Sequence, residues 1–199
     1  MSIEKSTLEG IYQEMSELLS PFGKVVIAGG AVRDTLMGRE PKDYDVFILD
    51  ADREISGDAI KETLARLFTN VKVSEAHLSE PFLVSTIKVD GLVVQVMTSP
   101  HLDIDQLMAS FDWNVCLFAY DGTFHAKTQL EDIAPSKDLV LQKVTFSIST
   151  MRRGFRFSER FGMNIPKKTL YTLCEKVLAT KQNTKHEPLD LPGDTEAPL

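Results

Sequence analysis

Seventeen consecutive residues, Gly29-Gly30-Ala31-Val32-Arg33-Asp34-Thr35-Leu36-Met37-Gly38-Arg39-Glu40-Pro41-Lys42-Asp43-Tyr44-Asp45, hold most of the chemistry that can be read from this chain. An apolar run ends at Ala28, and a helical run opens just after the two glycines. Glycine lets a backbone approach a ligand closely, and the N–H groups at a helix N-terminus attract phosphate. Arg33, one turn into that helix, offers a forked donor to the same anion. Asp43 and Asp45 stand at i and i+2 of the next extended segment, so both carboxylates leave one face. Such a pair suits Mg²⁺, which takes one or two carboxylates together with phosphate oxygens and water. Two such ions, about 4 Å apart, activate an attacking hydroxyl and steady a leaving pyrophosphate. A phosphate cradle, an arginine and a metal-binding pair so close together describe nucleotidyl transfer from an NTP.

The flanking sequence supplies the elements that must hold these groups. Thr7 to Leu19 has apolar residues at helical spacing, and Pro21 and Gly23 end it. Lys24 to Ala28 reads as a buried strand, Val32 to Met37 as a short helix closed by Gly38, and Tyr44 to Leu49 as a second strand. Asp58 to Phe68 is amphipathic, with Ile60, Leu64, Leu67 and Phe68 on one face. Phe82 to Val89 and Leu92 to Met97 flank Asp90-Gly91, a two-residue hairpin signal, and Trp113 to Tyr120 and Thr123 to Ala126 flank Asp121-Gly122. Asp105 to Ser110 reads as a short helix, with Asp103 and Asp105 as capping residues. From Ser147 the spacing of Met151, Phe155, Ser158 and Phe161 is helical, and Thr169 to Leu178 forms a further helix. The outline is α+β: a mixed sheet flanked by helices over residues 1–145, a short helical segment over 146–180, and a polar tail over 181–199 that reads as disordered.

Composition bounds the rest. The chain has 199 residues, 43% of them hydrophobic and 26% charged, which predicts one folded domain with a helical extension. The net charge of −7 argues against a broad non-specific nucleic-acid surface, while leaving room for a local basic patch. Arg152, Arg153, Arg156 and Arg160 form such a patch on one predicted helix. No apolar run reaches the length of about 18 residues that a membrane span needs, and the N-terminus lacks the regions of a signal peptide, so a cytoplasmic location is expected. Cys116 and Cys174 have no metal-ligand neighbours at suitable spacing and are expected to be reduced thiols. His77, His101, His125 and His186 form no metal spacing and are expected at the surface.

The seventeen-residue segment resembles the motif of the class II tRNA nucleotidyltransferases (the CCA-adding enzymes) and bacterial poly(A) polymerases, of the DNA polymerase β superfamily. Their pattern is a strand, Gly-Gly-x-Val-Arg-Asp, a short helix closing on Gly, then Asp-x-Asp. Two weaker likenesses follow in the same order. Phe111-Asp112-Trp113-Asn114-Val115 sits where that family has Arg-Arg-Asp-Phe-Thr-Ile-Asn, and Arg153, Arg156-Phe157, Arg160-Phe161-Gly162 resembles its neck helix. The resemblance implies a polymerase β-like nucleotidyltransferase head over 1–145 and a neck over 146–180. It implies Asp43 and Asp45 as catalytic, Mg²⁺-binding residues and Gly29, Gly30, Arg33, Asp112, Arg153 and Arg156 as nucleotide contacts. It also implies ATP or CTP as donor and an RNA 3′ end, such as that of tRNA, as acceptor; no membrane partner is expected, since no apolar run is long enough to span one.

The chain departs from that pattern at defined places. Gln95 stands where the family has a third carboxylate, and Ser110 and Phe111 replace two arginines. The base-selecting Glu-Asp-x-x-Arg falls on Phe146-Ser147-Ile148-Ser149-Thr150, and the length is about half the family's, without its tRNA-binding body. Besides the enzyme, three readings therefore stay open: a nucleotide-binding module with weakened catalysis, a transferase that modifies a protein or small molecule, and an interaction protein using the scaffold alone.

Overall fold

The computed structural model describes residues 7–51, 53–68, 71–72, 82–89 and 92–183. The central strands come from apolar runs that bury both faces. In β1 (Lys24–Ala28) and β2 (Tyr44–Leu49), Val25, Ile27, Val46 and Ile48 enter one core, and Val26, Ala28, Phe47 and Leu49 enter another. Side chains alternate across a strand, so one pair of strands serves two layers. The first layer contains α1 (Leu8–Leu19) and α3 (Arg53–Leu67), which contributes Ile60 and Leu64. The second layer contains α4 (Ile104–Ala109) through Ile104, Leu107 and Met108. Local caps match the sequence: Thr7 accepts the Gly10 N–H at 3.2 Å, and Asp103 accepts the Gln106 N–H at 2.8 Å.

With β3 (Val71–Lys72), β4 (Phe82–Val89), β5 (Leu92–Ser99), β6 (Phe118–Tyr120) and β7 (Phe124–Ala126), these strands form one seven-stranded sheet. Its order is β3-β4-β5-β2-β1-β6-β7. Every pairing is antiparallel except β2 with β5. The parallel register places Asp45 opposite Gln95, and the antiparallel register places it opposite Ala28, the last residue before the glycines. Asp45 lies on the face of Phe47 and Leu49.

Two helices complete the fold: α5 (Ser147–Phe161) and α6 (Lys167–Asn183), packed on each other. The short α2 (Gly30–Leu36) follows the glycine turn. The junction of α5 with the sheet is Trp113, which is fully buried and donates its indole N–H to the Thr150 carbonyl at 2.9 Å. Gly154, one turn further on, lets α5 lie flat against that ring. A Cβ at this position would stand 2.4 Å from Trp113 Cζ2.

Several sequence expectations change. The segment Trp113 to Tyr120 is not one strand: a 3-10 turn, Asn114–Cys116, precedes the three residues of β6. The buried Asn114 explains this, since its side chain accepts the Val140 N–H at 3.0 Å and so ties the segment to a loop. The helix expected from Asp58 begins at Arg53, and Leu67 is 36% exposed while Phe68 is buried. Phe155, expected on the packed stripe of α5, is exposed, because Gly154 takes the place against Trp113. α6 runs to Asn183, so the first three residues assigned to the tail are helical. The rest of the tail, the Asp90-Gly91 turn, His77 and His186 lie outside the described residues.

Substituting alanine for glycine within a helix ordinarily gains about 0.5–1 kcal/mol. At Gly154 the added methyl meets an immobile ring, so Gly154→Ala is expected to destabilise by about 1–3 kcal/mol. Calorimetry should record a fall in Tm of about 2–4 °C per kcal/mol, and an unchanged or higher Tm would refute the packing described.

Candidate functional site

A cleft of about 840 Å³ opens where β1 ends and β2 begins, with α5 along one side. Gly29, Gly30, Arg33, Asp43, Asp45, Asp112, Arg153 and Arg156 all line it. Residues from four separate stretches of sequence therefore share one wall-to-wall space.

The glycine turn forms its floor. Gly29 has φ +85° and ψ −131°, a conformation open to glycine, and its absent Cβ would lie 3.9 Å from Asp45 Oδ2. The Gly29 N–H already donates to the Phe118 carbonyl at 2.8 Å. That N–H is therefore already used within the sheet. The donors left to a phosphate are those of the first α2 residues, since the first such bond inside α2 starts at Arg33 N.

Asp45 is half-buried, and Asp43 is exposed just before β2. Burial first, and then the neighbouring Asp43 charge, push the Asp45 carboxyl up to about 7, partly offset by Arg153. Two crowded carboxylates are the environment that a cation relieves. Mg²⁺ binding by one or two carboxylates plus phosphate oxygens fits this pair. Among the described residues no group of three or more His, Cys, Asp or Glu could hold a metal alone. Gln95, in register with Asp45, extends the same row with an amide oxygen in place of a charge.

Arg33 lines the cleft and is also tied into the fold. Its side chain is 2% exposed. Nε donates to Asp34 Oδ1 at 2.9 Å, Nη2 lies 2.8 Å from the same oxygen, and Nη1 donates to the Val115 carbonyl at 3.2 Å. Its guanidinium also stacks over Phe161, 4.8 Å from the ring centroid, and near Phe157 at 5.7 Å. Asp34 Oδ2 accepts from Arg160 Nη2 at 2.9 Å. Arg33 thus takes part in a buried bridge from α2 to α5 at the wall of the cleft. A second bridge joins Asp112, which is 7% exposed, to Arg153 through both Nε and Nη2. Asp112 thus positions Arg153. The cations of the cleft that take part in no ion pair among the described residues are Arg156 and Lys42.

Sequence reading missed Phe146, Phe157, Glu159, Lys42 and Cys116 as lining residues. The signal for the α5 residues was present: Phe146, Arg153, Phe157 and Arg160 recur every three or four residues or a multiple of that. Burial above all pushes the Cys116 thiol up to about 12, which favours its protonated form at neutral pH. Neither cysteine is in a disulfide.

The profile described as "Gabija anti-defense 2 family protein" matches residues 2–147. The chain belongs to the Gabija anti-defense 2 family. No curated protein matches it. Among solved structures, a CCA-adding enzyme in complex with ATP is 18% identical, with a TM-score of 0.60 over 93% of this chain and 48% of that one. An apo CCA-adding enzyme gives 16% identity and a TM-score of 0.59 over 93% and 47%. The Thermotoga maritima CCA-adding enzyme complexed with tRNA gives 19% and 0.56 over 88% and 45%. This Gabija anti-defense 2 chain therefore has the nucleotidyltransferase fold of the CCA-adding enzymes and spans about half the length of those structures. The likeness is one of fold, and the family is a different one. No described helix is long and apolar enough to cross a membrane.

The Asp45 environment yields a pH test. A carboxyl whose pKa is raised on folding resists ionisation there, so native stability is lost as pH rises from its ordinary 3.8 through about 7. Asp45→Asn removes that loss. In EDTA its Tm advantage over wild type is expected to be larger at pH 8 than at pH 5, at about 2–4 °C per kcal/mol. Added Mg²⁺ should narrow the difference at pH 8. A pH-independent difference in thermal denaturation would contradict this account.

Proposed function

We propose that this protein is a nucleotidyltransferase that moves a nucleoside monophosphate from an NTP to an acceptor hydroxyl, and that this reaction underlies the anti-defence role its family is named for. The observation that supports this most directly is the Asp45 carboxylate set against the Gly29 turn, with Asp43 on the same cleft. In the reaction the acceptor oxygen bonds the α-phosphorus, the bond to the β-phosphate oxygen breaks, and pyrophosphate departs while the acceptor proton is released. Asp43 and Asp45 would hold Mg²⁺, which supplies charge stabilisation to the phosphoryl oxygens. The α2 N-terminus, Arg156 and Lys42 bind the triphosphate, and Asp112 keeps Arg153 aimed into the cleft. The acceptor we favour is an RNA 3′ end. A structural neighbour is described as bound to tRNA, and Lys42, Arg152 and Arg156 give an acidic chain a local cationic rim. The head-and-neck division at about residue 145 belongs to this reading, with α5 as the neck that closes the cleft.

One observation favours a second reading. Gln95 beside Asp45 leaves the carboxylate row one charge short, which suits a module that binds nucleotide and turns it over weakly.

The full chain incubated with Mg²⁺ and each α-labelled NTP, over panels of RNAs and proteins, tests both. Transfer of label with pyrophosphate release is expected. Asp43→Ala and Asp45→Ala should each lower it by about 100-fold or more, the equivalent of about 3 kcal/mol of lost charge stabilisation. Full activity in those variants would remove these residues from the mechanism. Tight NTP binding without label transfer would decide for the module, and label on proteins alone would move the acceptor from RNA to protein. In hosts carrying Gabija, wild type but not Asp45→Ala is expected to relieve the defence.

A further inference from the structure

Half of the residues lining the cleft are charged, and at one end of α5 it carries an exposed aromatic ring. Phe146 is 46% exposed and lines the cleft. Small-molecule pockets are lined largely by apolar and aromatic side chains, and a partly exposed ring inside a cleft is such a group. The position is fixed by the backbone: Phe146 is the N-cap of α5, and its carbonyl accepts the Thr150 N–H at 2.8 Å. No side chain caps the helix there, so the residue at the cap contributes a ring instead of the usual polar group. The other rings of the cleft are committed: Phe157 lies under the Arg33 guanidinium, and Phe111 packs on Phe47 with centroids 5.9 Å apart.

From Phe146 to Arg156 the helix rises about 15 Å at 1.5 Å per residue. One end of this span is apolar and aromatic, and the other carries a free guanidinium. A nucleoside triphosphate has the same polarity, with a flat π-faced base at one end and phosphates at the other. We infer that Phe146 is the platform on which the base of the incoming nucleotide stacks, and that this protein takes all four bases without strong preference. Stacking is tolerant of base identity because every base presents a π-face. Two polar side chains of the cleft already have partners: Asp112 accepts from Arg153 through Oδ2, and the Ser110 hydroxyl donates to the Leu107 carbonyl at 2.6 Å.

The inference rests on the proposed nucleotide site, and binding measurements separate the two. ATP, CTP, GTP, UTP and inorganic tripolyphosphate are titrated into the full chain with Mg²⁺. Wild type is expected to bind the four NTPs within about threefold of one another. Base–aromatic stacking contributes about 1–3 kcal/mol by alanine substitution, so Phe146→Ala should weaken all four by roughly 5- to 150-fold. Tripolyphosphate affinity should be unchanged, Phe146→Trp should restore NTP binding, and Phe146→Leu should not. An exposed ring is not a folding determinant, and an unchanged Tm in the variants confirms it. NTP binding that is equal in wild type and Phe146→Ala overturns the platform and leaves the nucleotide site standing, as does a single strongly preferred NTP that the substitution does not affect. Failure of both the NTPs and tripolyphosphate to bind wild type overturns the platform and the site together.

Discussion

The cleft exists because two buried carboxylates hold one helix against the end of a sheet. Asp34, from the turn of α2, takes Arg160, and Asp112, from the loop before β6, takes Arg153. The two arginines are seven residues apart, two turns of α5, so both point to one side. Between them Gly154 admits the face of Trp113. Buried ion pairs are weak evidence of net stability, since an apolar replacement often does as well. Losing one partner is another matter, costing about 3–5 kcal/mol because a charge stays buried without its counter-ion. What these pairs determine is the placement of α5, and hence the presence of an open space where a well-packed interface would have closed.

The same economy governs charge inside that space. Arginines that would be read from sequence as anion binders are mostly occupied in holding the structure. Arg33 is the clearest case, with its donors on Asp34 and Val115 and its faces against aromatic rings. The acidic pair on β2 is left facing a glycine turn, with an amide in the next strand. On the sheet side Lys42 stands next to Asp43, and across the cleft α5 brings Arg156; neither cation is in an ion pair among the described residues.

How far the sequence could be read follows from how local each feature is. The glycine turn, the short helix and the aspartate pair lie within seventeen residues, so their spacing alone implied a shared site. Gln95 joins Asp45 through a parallel pairing, and it could be placed only by resemblance. The bridges Asp112–Arg153 and Asp34–Arg160 link positions 41 and 126 apart, and no periodicity links such partners. The pairing of Arg33 with its neighbour Asp34 gives no signal in the sequence, where both residues read as part of one motif. Phe146 was passed over as a lost polar residue, since a ring at a helix cap gives no sequence signal until a cleft is seen beside it. The strand expected across Trp113 to Tyr120 failed for a similar reason: Asn114 spends its amide on a distant loop backbone and breaks the extended run.

Two anchors on a rod prevent it from pivoting about either. With α5 pinned at Arg153 and again at Arg160, the gap between the glycine turn and the helix is a set jaw rather than a hinge. Its width is decided when the chain folds, not when a guest arrives, so little ordering of α5 remains to oppose binding.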